Sequence, residues 1–194
     1  MVPAGKDNAE ISGTAQQVSV DRNVTVTATA AVGQVATTTF SLWTILPTFF
    51  SYASEEGDYI GVGRVRRLTP PYREFSAACV DNAARFTFRD DANLPWFAEF
   101  QAPKGVPLRV GTYEGATRPP ALRDTDPGLD ISGEFRGCNH LTGRFTIREA
   151  DFSPSGQVRQ FWATFEQHCE SRTPALYGDV RVTNGPPVNG NCLR

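Results

Sequence analysis

The sequence predicts an all-β chain, an antiparallel β-sandwich or, as the alternative, a flattened β-barrel, preceded by a partial β-segment. Three observations predict it. Apolar and polar residues alternate over short runs, as half-buried strands require. The 17 Gly and 14 Pro fall, with Asn and Asp, between those runs. No stretch carries helical apolar spacing over several turns. The length of 194 residues allows one or two domains, and 40% hydrophobic content with 13 Phe supports a packed core.

A net charge of −2 argues against a nucleic-acid binder and against a polybasic membrane anchor. No apolar run approaches the roughly 18 residues of a membrane helix. The most apolar window, Leu42 to Phe50, is broken by Pro47. The start lacks a basic region followed by an apolar one, so no signal peptide is read in this chain. Met1 is therefore expected to open a fragment of a longer exported protein.

Residues 1–45 form the first part. Val18-Ser19-Val20 is followed by Asn23-Val24-Thr25-Val26-Thr27-Ala28-Thr29, a turn at Ala31-Val32-Gly33-Gln34, and Val35-Ala36-Thr37-Thr38-Thr39-Phe40-Ser41-Leu42. Val24, Val26 and Ala28 share one face of an antiparallel strand and the threonines the other. Val2-Pro3-Ala4-Gly5, the Val-Thr-Val-Thr-Ala-Thr strand and the Thr-rich closing strand resemble the C-terminal half of a bacterial Ig-like repeat. Such a sandwich needs about seven strands, and three or four are present. The resemblance thus implies an open edge and an uncovered face, so the segment packs on the second domain, pairs with another copy or is poorly ordered, and Val24, Val26, Phe40 and Leu42 favour the first two. Asn23-Val24-Thr25 also fits a glycosylation sequon, a tripeptide common enough to arise by chance.

Residues 46–56 read as a linker, 57–183 as the sandwich domain and 184–194 as a flexible tail. Gly57-Asp58-Tyr59-Ile60-Gly61-Val62-Gly63 is not a dinucleotide fingerprint, because no helix pattern follows it. It reads as a strand whose glycines permit close packing. Strands are expected at Phe75–Val80, Ala84–Phe88, Trp96–Gln101, Gly111–Glu114 and Leu129–Phe135, with a turn at Asp90-Asp91-Ala92-Asn93 and an irregular loop at Arg118–Gly128. A hairpin joins Gly143–Ile147 to Phe161–Cys169, and Leu176–Thr183 closes the domain. Gly111-Thr112-Tyr113-Glu114, Pro127-Gly128-Leu129-Asp130-Ile131-Ser132-Gly133, Leu141-Thr142-Gly143-Arg144-Phe145-Thr146 and Phe165-Glu166-Gln167-His168-Cys169-Glu170 resemble a recurrent domain of bacterial secreted and surface proteins with no established activity. That resemblance implies an extracytoplasmic module and supplies no catalytic residues.

Four cysteines in an exported β-protein point to disulfides. Cys138 and Cys169, at the outer ends of the hairpin arms, are the leading pair, which leaves Cys79 with Cys192. The alternative is a zinc site from Cys138, His140, His168 and Cys169. Adjacent His168 and Cys169 point to opposite faces of a strand, which disfavours it.

Along the Phe161–Cys169 strand, Phe161, Ala163, Phe165, Gln167 and Cys169 make one face, suited to a core. Trp162, Thr164, Glu166 and His168 make the other, with Glu166 and His168 roughly 7 Å apart along the strand. Arg144 and Arg148 on the hairpin partner complete a candidate ligand-binding surface. A Glu–His pair serves proton transfer, and equally serves as a solvated cross-strand charge pair. Asp124, Asp126 and Asp130 are candidate calcium ligands through their oxygens. Tyr59, Tyr72, Tyr113, Tyr177, Trp96 and Trp162 are candidate sugar-stacking rings or core. The expectation is a non-catalytic accessory or adhesion module, without cofactor, whose partner is a glycan or another surface protein. The alternatives are a carbohydrate-binding module using Trp162 and a hydrolase using Glu166 and His168.

Overall fold

The structure, a computed structural model, describes residues 22–29, 35–42, 48–89, 92–185 and 188–192. The chain divides into two units, Met1–Leu46 and Pro47–Arg194. It is all-β and contains no helix among the described residues. No helix long and apolar enough to cross a membrane is therefore present among the described residues.

In the first unit, β1 (Arg22–Thr29) and β2 (Val35–Leu42) form an antiparallel hairpin, paired residue for residue from Arg22↔Leu42 to Thr29↔Val35. Thr27 and Thr37 are partners on an exposed face. The Val18–Val20 run and the 31–34 turn lie outside the described residues.

The second unit holds ten strands: β3 (Phe49–Ser54), β4 (Val65–Leu68), β5 (Glu74–Val80), β6 (Ala83–Arg89), β7 (Pro95–Gln101), β8 (Gly111–Thr117), β9 (Gly128–Gly133), β10 (Leu141–Phe152), β11 (Val158–Cys169) and β12 (Ala175–Thr183). They form one sheet in the order β4-β3-β12-β11-β10-β8-β9-β7-β6-β5. The sheet is mixed and curls into a half-barrel rather than splitting into two faces of a sandwich. Every pairing is antiparallel except a single parallel bridge between β8 and β9, Thr117↔Gly128.

The curl follows from the alternation, because every strand has one apolar face to bury. Phe161, Ala163, Phe165, Gln167 and Cys169 are all buried, as their parity predicts. Phe50 of β3 lies 5.4 Å from Phe88 of β6, 5.2 Å from Trp96 of β7 and 6.3 Å from Phe165 of β11, so rings from distant strands meet across the interior. Phe100 likewise touches Phe145 and Phe161. At Gly133 a Cβ would stand 2.2 Å from the Trp96 ring, so only glycine admits that indole.

Gln167 is a polar residue on this apolar face, fully buried. Its Oε1 accepts from the Ile131 N–H at 2.8 Å and its Nε2 donates to the Ile131 carbonyl at 2.8 Å. β8 meets β9 at only one bridge, so the backbone of Ile131 lacks a ladder partner on that side. The carboxamide of β11 supplies the missing pair from across the barrel, as a buried peptide group requires.

Both expected disulfides are present, Cys79–Cys192 and Cys138–Cys169, with Cα separations of 5.5 and 5.2 Å. Cys138 precedes β10 rather than lying on it. Two disulfides place the chain in an oxidising, extracytoplasmic environment.

Several expectations are corrected. The linker read at 46–56 contains β3, hydrogen-bonded between β12 and β4, with Phe50 and Tyr52 buried. Its serines and Pro47 resemble a linker locally, but its partner lies more than a hundred residues away. Gly57–Gly63 is a turn, not a strand: the buried Asp58 carboxylate accepts from the Ile60 and Gly61 N–H groups and from the Ser54 hydroxyl. The hairpin arms β10 and β11 run 12 residues each, with register shifts between Ile147 and Glu149 and between Asp151 and Phe152. The tail read as flexible is tied down over 188–192. Cys192 is buried and bridged to Leu108, and Gly190 hydrogen-bonds Phe152 and Asp151. Residues 90–91, 186–187 and 193–194 of the expected turn and tail lie outside the described residues.

Candidate functional site

The outward face of β8, β10, β11 and β12 holds the predicted surface. Register places Arg144 opposite Glu166, and Glu166 opposite Tyr177. One row along the strands, Thr112, Thr146 and Thr164 stand side by side, with the first two hydroxyls 3.1 Å apart. These side chains, with Glu114, surround a depression of about 450 Å³. A second depression of about 570 Å³ adjoins it over β12, β3 and β4 and shares Tyr177 and Thr164.

Glu166 is the centre of the charge network. Its Oε2 accepts from Arg144 Nε at 2.9 Å and Nη2 at 2.8 Å, and its Oε1 faces His168 Nε2 at 3.1 Å. His168 Nδ1 lies 2.8 Å from the Thr173 carbonyl. A carbonyl only accepts, so Nδ1 carries its proton; an ionised carboxylate only accepts, so Nε2 carries one too. Partial burial alone would lower the His168 pKa, but the bonds to Glu166 and Thr173 outweigh it and raise it. The His168 hydrogen bond, followed by Arg144 against the opposing effect of burial, holds the Glu166 carboxyl below its usual range. Both ring nitrogens and both carboxylate oxygens are thus committed to one another, to Arg144 or to backbone. In that doubly protonated form the ring has no free lone pair with which to take a proton from a substrate.

Trp162 and Arg148 are also brought to this face. Trp162 Nε1 donates to Asp179 Oδ1 at 3.0 Å. The guanidinium of Arg148 lies 5.1 Å from its ring centroid, and that of Arg181 lies 4.8 Å away. Arg181, buried, is in turn held by Glu149 at 2.9 Å. A cation on an aromatic face is a stable arrangement, and it occupies the ring that a stacked sugar would need.

The calcium candidates are not brought together. Asp124 pairs with Lys104 at 3.0 Å, Asp126 with Arg123 at 3.1 Å and Asp130 with Arg118 at 3.4 Å. Burial raises the Asp130 pKa despite Arg118, an environment that disfavours the ionised ligand a cation wants. No group of three or more His, Cys, Asp or Glu side chains among the described residues is arranged to hold a metal. Cys138 and Cys169 are joined to each other, which removes both from the zinc set. Of the other aromatic candidates, Trp96 is core and Tyr72 and Tyr113 pack partly buried against it, whereas Tyr59 and Tyr177 are exposed.

One residue escapes sequence reading. Phe135, expected at the end of a strand, stands in a turn and is 84% exposed. It borders a depression of about 420 Å³ with Tyr59, Asn139, Glu170, Arg172 and Pro174, at the end of the barrel that carries Cys138–Cys169. Neither central position of that turn is Asn or Gly, the residues that mark such turns, so sequence reading runs the strand through it. Comparison with protein-family models, with curated proteins and with solved structures finds no match to this chain.

Proposed function

We propose that the chain is a non-catalytic binding module of a larger exported bacterial protein, acting at the cell surface or in the secreted fraction. One observation carries this reading: the Glu166–His168–Arg144 network, the best-placed acid–base group in the molecule, is closed on itself. A general base needs a free lone pair within reach of a substrate proton. His168, bonded at both ring nitrogens, offers none in its protonated form, and no hydroxyl or thiol among the described residues hydrogen-bonds to its ring. The two disulfides and the tied-down tail support a rigid scaffold outside the cytoplasm. A rigid scaffold with open surface depressions fits binding better than turnover.

The test is a turnover screen of the full chain against chromogenic glycosides, esters, phosphodiesters and peptides, beside Glu166→Gln and His168→Asn. The reading expects no turnover above buffer. Turnover that disappears in Glu166→Gln would establish the hydrolase instead.

A further inference from the structure

Three adjacent pairs of non-glycine residues among the described residues have positive φ, Asp81–Asn82, Glu134–Phe135 and Glu170–Ser171, and the pair between β9 and β10 is the one that contains an aromatic. Gly133 and Arg136 exchange both main-chain hydrogen bonds, at 3.0 and 2.9 Å, so Glu134 and Phe135 are the central pair of a two-residue turn. Their φ angles are +51° and +65°. A turn with both central residues left-handed strongly favours Asn and Gly, because a Cβ crowds the following carbonyl. A bulky aromatic in that region is a genuine outlier.

Glu134 has a reason to be there. Its carboxylate, 7% exposed, takes Arg64, Arg66 at 2.8 Å and Arg136 at 2.9 Å. Arg136 also donates to the Ile60 carbonyl at 2.9 Å, which locks the turn onto the 57–63 loop. Phe135 has no such compensation: its ring meets no other ring among the described residues and is 84% exposed. The second unit holds a large apolar group in a left-handed turn, largely exposed among the described residues. Strain of this kind is retained where a function uses it.

The surroundings indicate the occupant. Tyr59, from the loop that Arg136 braces, is 52% exposed beside Phe135. The same depression presents Asn139, Glu170 and Arg172. Glu170 accepts from the Asn139 N–H at 2.6 Å, which keeps its carboxyl below the usual range and therefore an acceptor. Arg172 has no ion pair among the described residues and offers donors. Glu170 and Arg172 offset each other in charge. The pocket therefore presents aromatic faces, one fixed acceptor, one free donor set and an amide; the Asp58 carboxylate that also lines it is buried and spent on Ser54, Ile60 and Gly61, so two carboxylates against one guanidinium leave nothing to recruit an anion. A neutral pyranose matches: its C–H face is weakly positive and stacks on the negative face of a ring, while each hydroxyl both donates and accepts.

We propose that Phe135 and Tyr59 form a stacking platform for a neutral hexose-containing glycan, with Asn139, Glu170 and Arg172 reading its hydroxyls. The proposal rests on the reading of the chain as a binding module and gives that module its ligand class and site. It moves glycan recognition from the Trp162 face to the disulfide-clamped end of the barrel.

The experiment uses the full chain on an array of neutral gluco-, manno-, galacto-, xylo- and chito-oligosaccharides, with acidic glycans alongside, and calorimetry on each hit. Phe135→Asn is the deciding variant, because Asn suits the left-handed turn and removes only the ring. It is expected to unfold at a temperature no lower than the wild type while binding at least about tenfold more weakly. Tyr59→Ser is expected to weaken binding likewise, and Trp162→Ala to leave it unchanged. No neutral glycan bound at millimolar concentration, binding only to acidic glycans, or binding unchanged in Phe135→Asn and Tyr59→Ser would each overturn the proposal. Failure of the binding-module reading is separate, since it shows as Glu166-dependent turnover.

Discussion

Gln167 offers a sharp test of how this barrel is held together. Replacing it by Leu keeps roughly the volume but strands the Ile131 N–H and carbonyl, which Gln167 bonds at 2.8 Å each. An unsatisfied buried polar group costs about 1–3 kcal/mol, so two cost about 2–6 kcal/mol, with about 4 kcal/mol as the central expectation. In a unit the size of Pro47–Arg194, each kcal/mol lowers the melting temperature by about 2–4 °C, so the expected fall is about 12 °C. Denaturant unfolding gives the free energy, and hydrogen exchange shows whether the Ile131 amide loses protection selectively. Gln167→Glu adds a pH signature. Its carboxylate accepts the N–H but repels the carbonyl, and burial raises its pKa. A raised folded-state pKa means stability is recovered as pH falls and lost as pH rises through it. Gln167→Leu within about 1 kcal/mol of the wild type, with Ile131 still protected, would falsify the account.

Further predictions concern the disulfides, the charge network and one glycine. Cys79→Ser/Cys192→Ser removes a cross-link spanning 113 residues and is expected to cost up to about 4.8 kcal/mol by chain entropy, read by denaturant titration of the two oxidised proteins. The Cys138–Cys169 bridge, spanning 31, is expected to cost less, about 3.7 kcal/mol, and the reverse order would contradict the loop-entropy explanation. The Glu166–His168 pair stabilises fully between the ordinary values of 4.5 and 6.5, because the carboxyl is depressed and the imidazole raised. Its contribution fades below as Glu166 protonates and above as His168 loses its proton. With both side chains partly exposed it is worth under about 1 kcal/mol, measurable as the pH-dependent stability gap between wild type and His168→Gln. Gly133→Ala drives a methyl into the buried Trp96 ring and is expected to cost about 1–3 kcal/mol or more, seen as a lowered melting temperature.

What the sequence made legible is the local pattern. The parity of Phe161 to Cys169 sorts core from surface, and even places Gln167 inside, because alternation fixes faces whatever the residue. The hairpin and cysteine positions follow from spacing, and the Arg144–Glu166 contact from the hairpin's register. What escaped depends on remote partners or on backbone conformation. β3 looks like a linker until β12 is laid beside it, and Ile131's need for Gln167 arises only because β8 and β9 barely meet. Trp162 reads as an open ring because Arg181, on the next strand, is invisible to a hairpin argument. The Glu134–Phe135 turn lacks turn residues altogether; its conformation is fixed by arginines drawn from β4 and from its own flank.

The Cys79–Cys192 bridge also decides how the second unit bears tension. Pulled from the Thr48 side and from Cys192, the force travels along β3, β4 and β5, crosses the sulfurs and leaves. Residues 80–191 lie off that path. β4 and β5 are the two edges of the sheet and can peel, whereas β3, the first strand on the path, is interior and must also part from β12. Full extension of 48–79 yields roughly 110 Å, against roughly 490 Å for 48–192 once both bridges are reduced. The oxidised unit is a short tether around an unloaded barrel, and a reductant turns it into a long one.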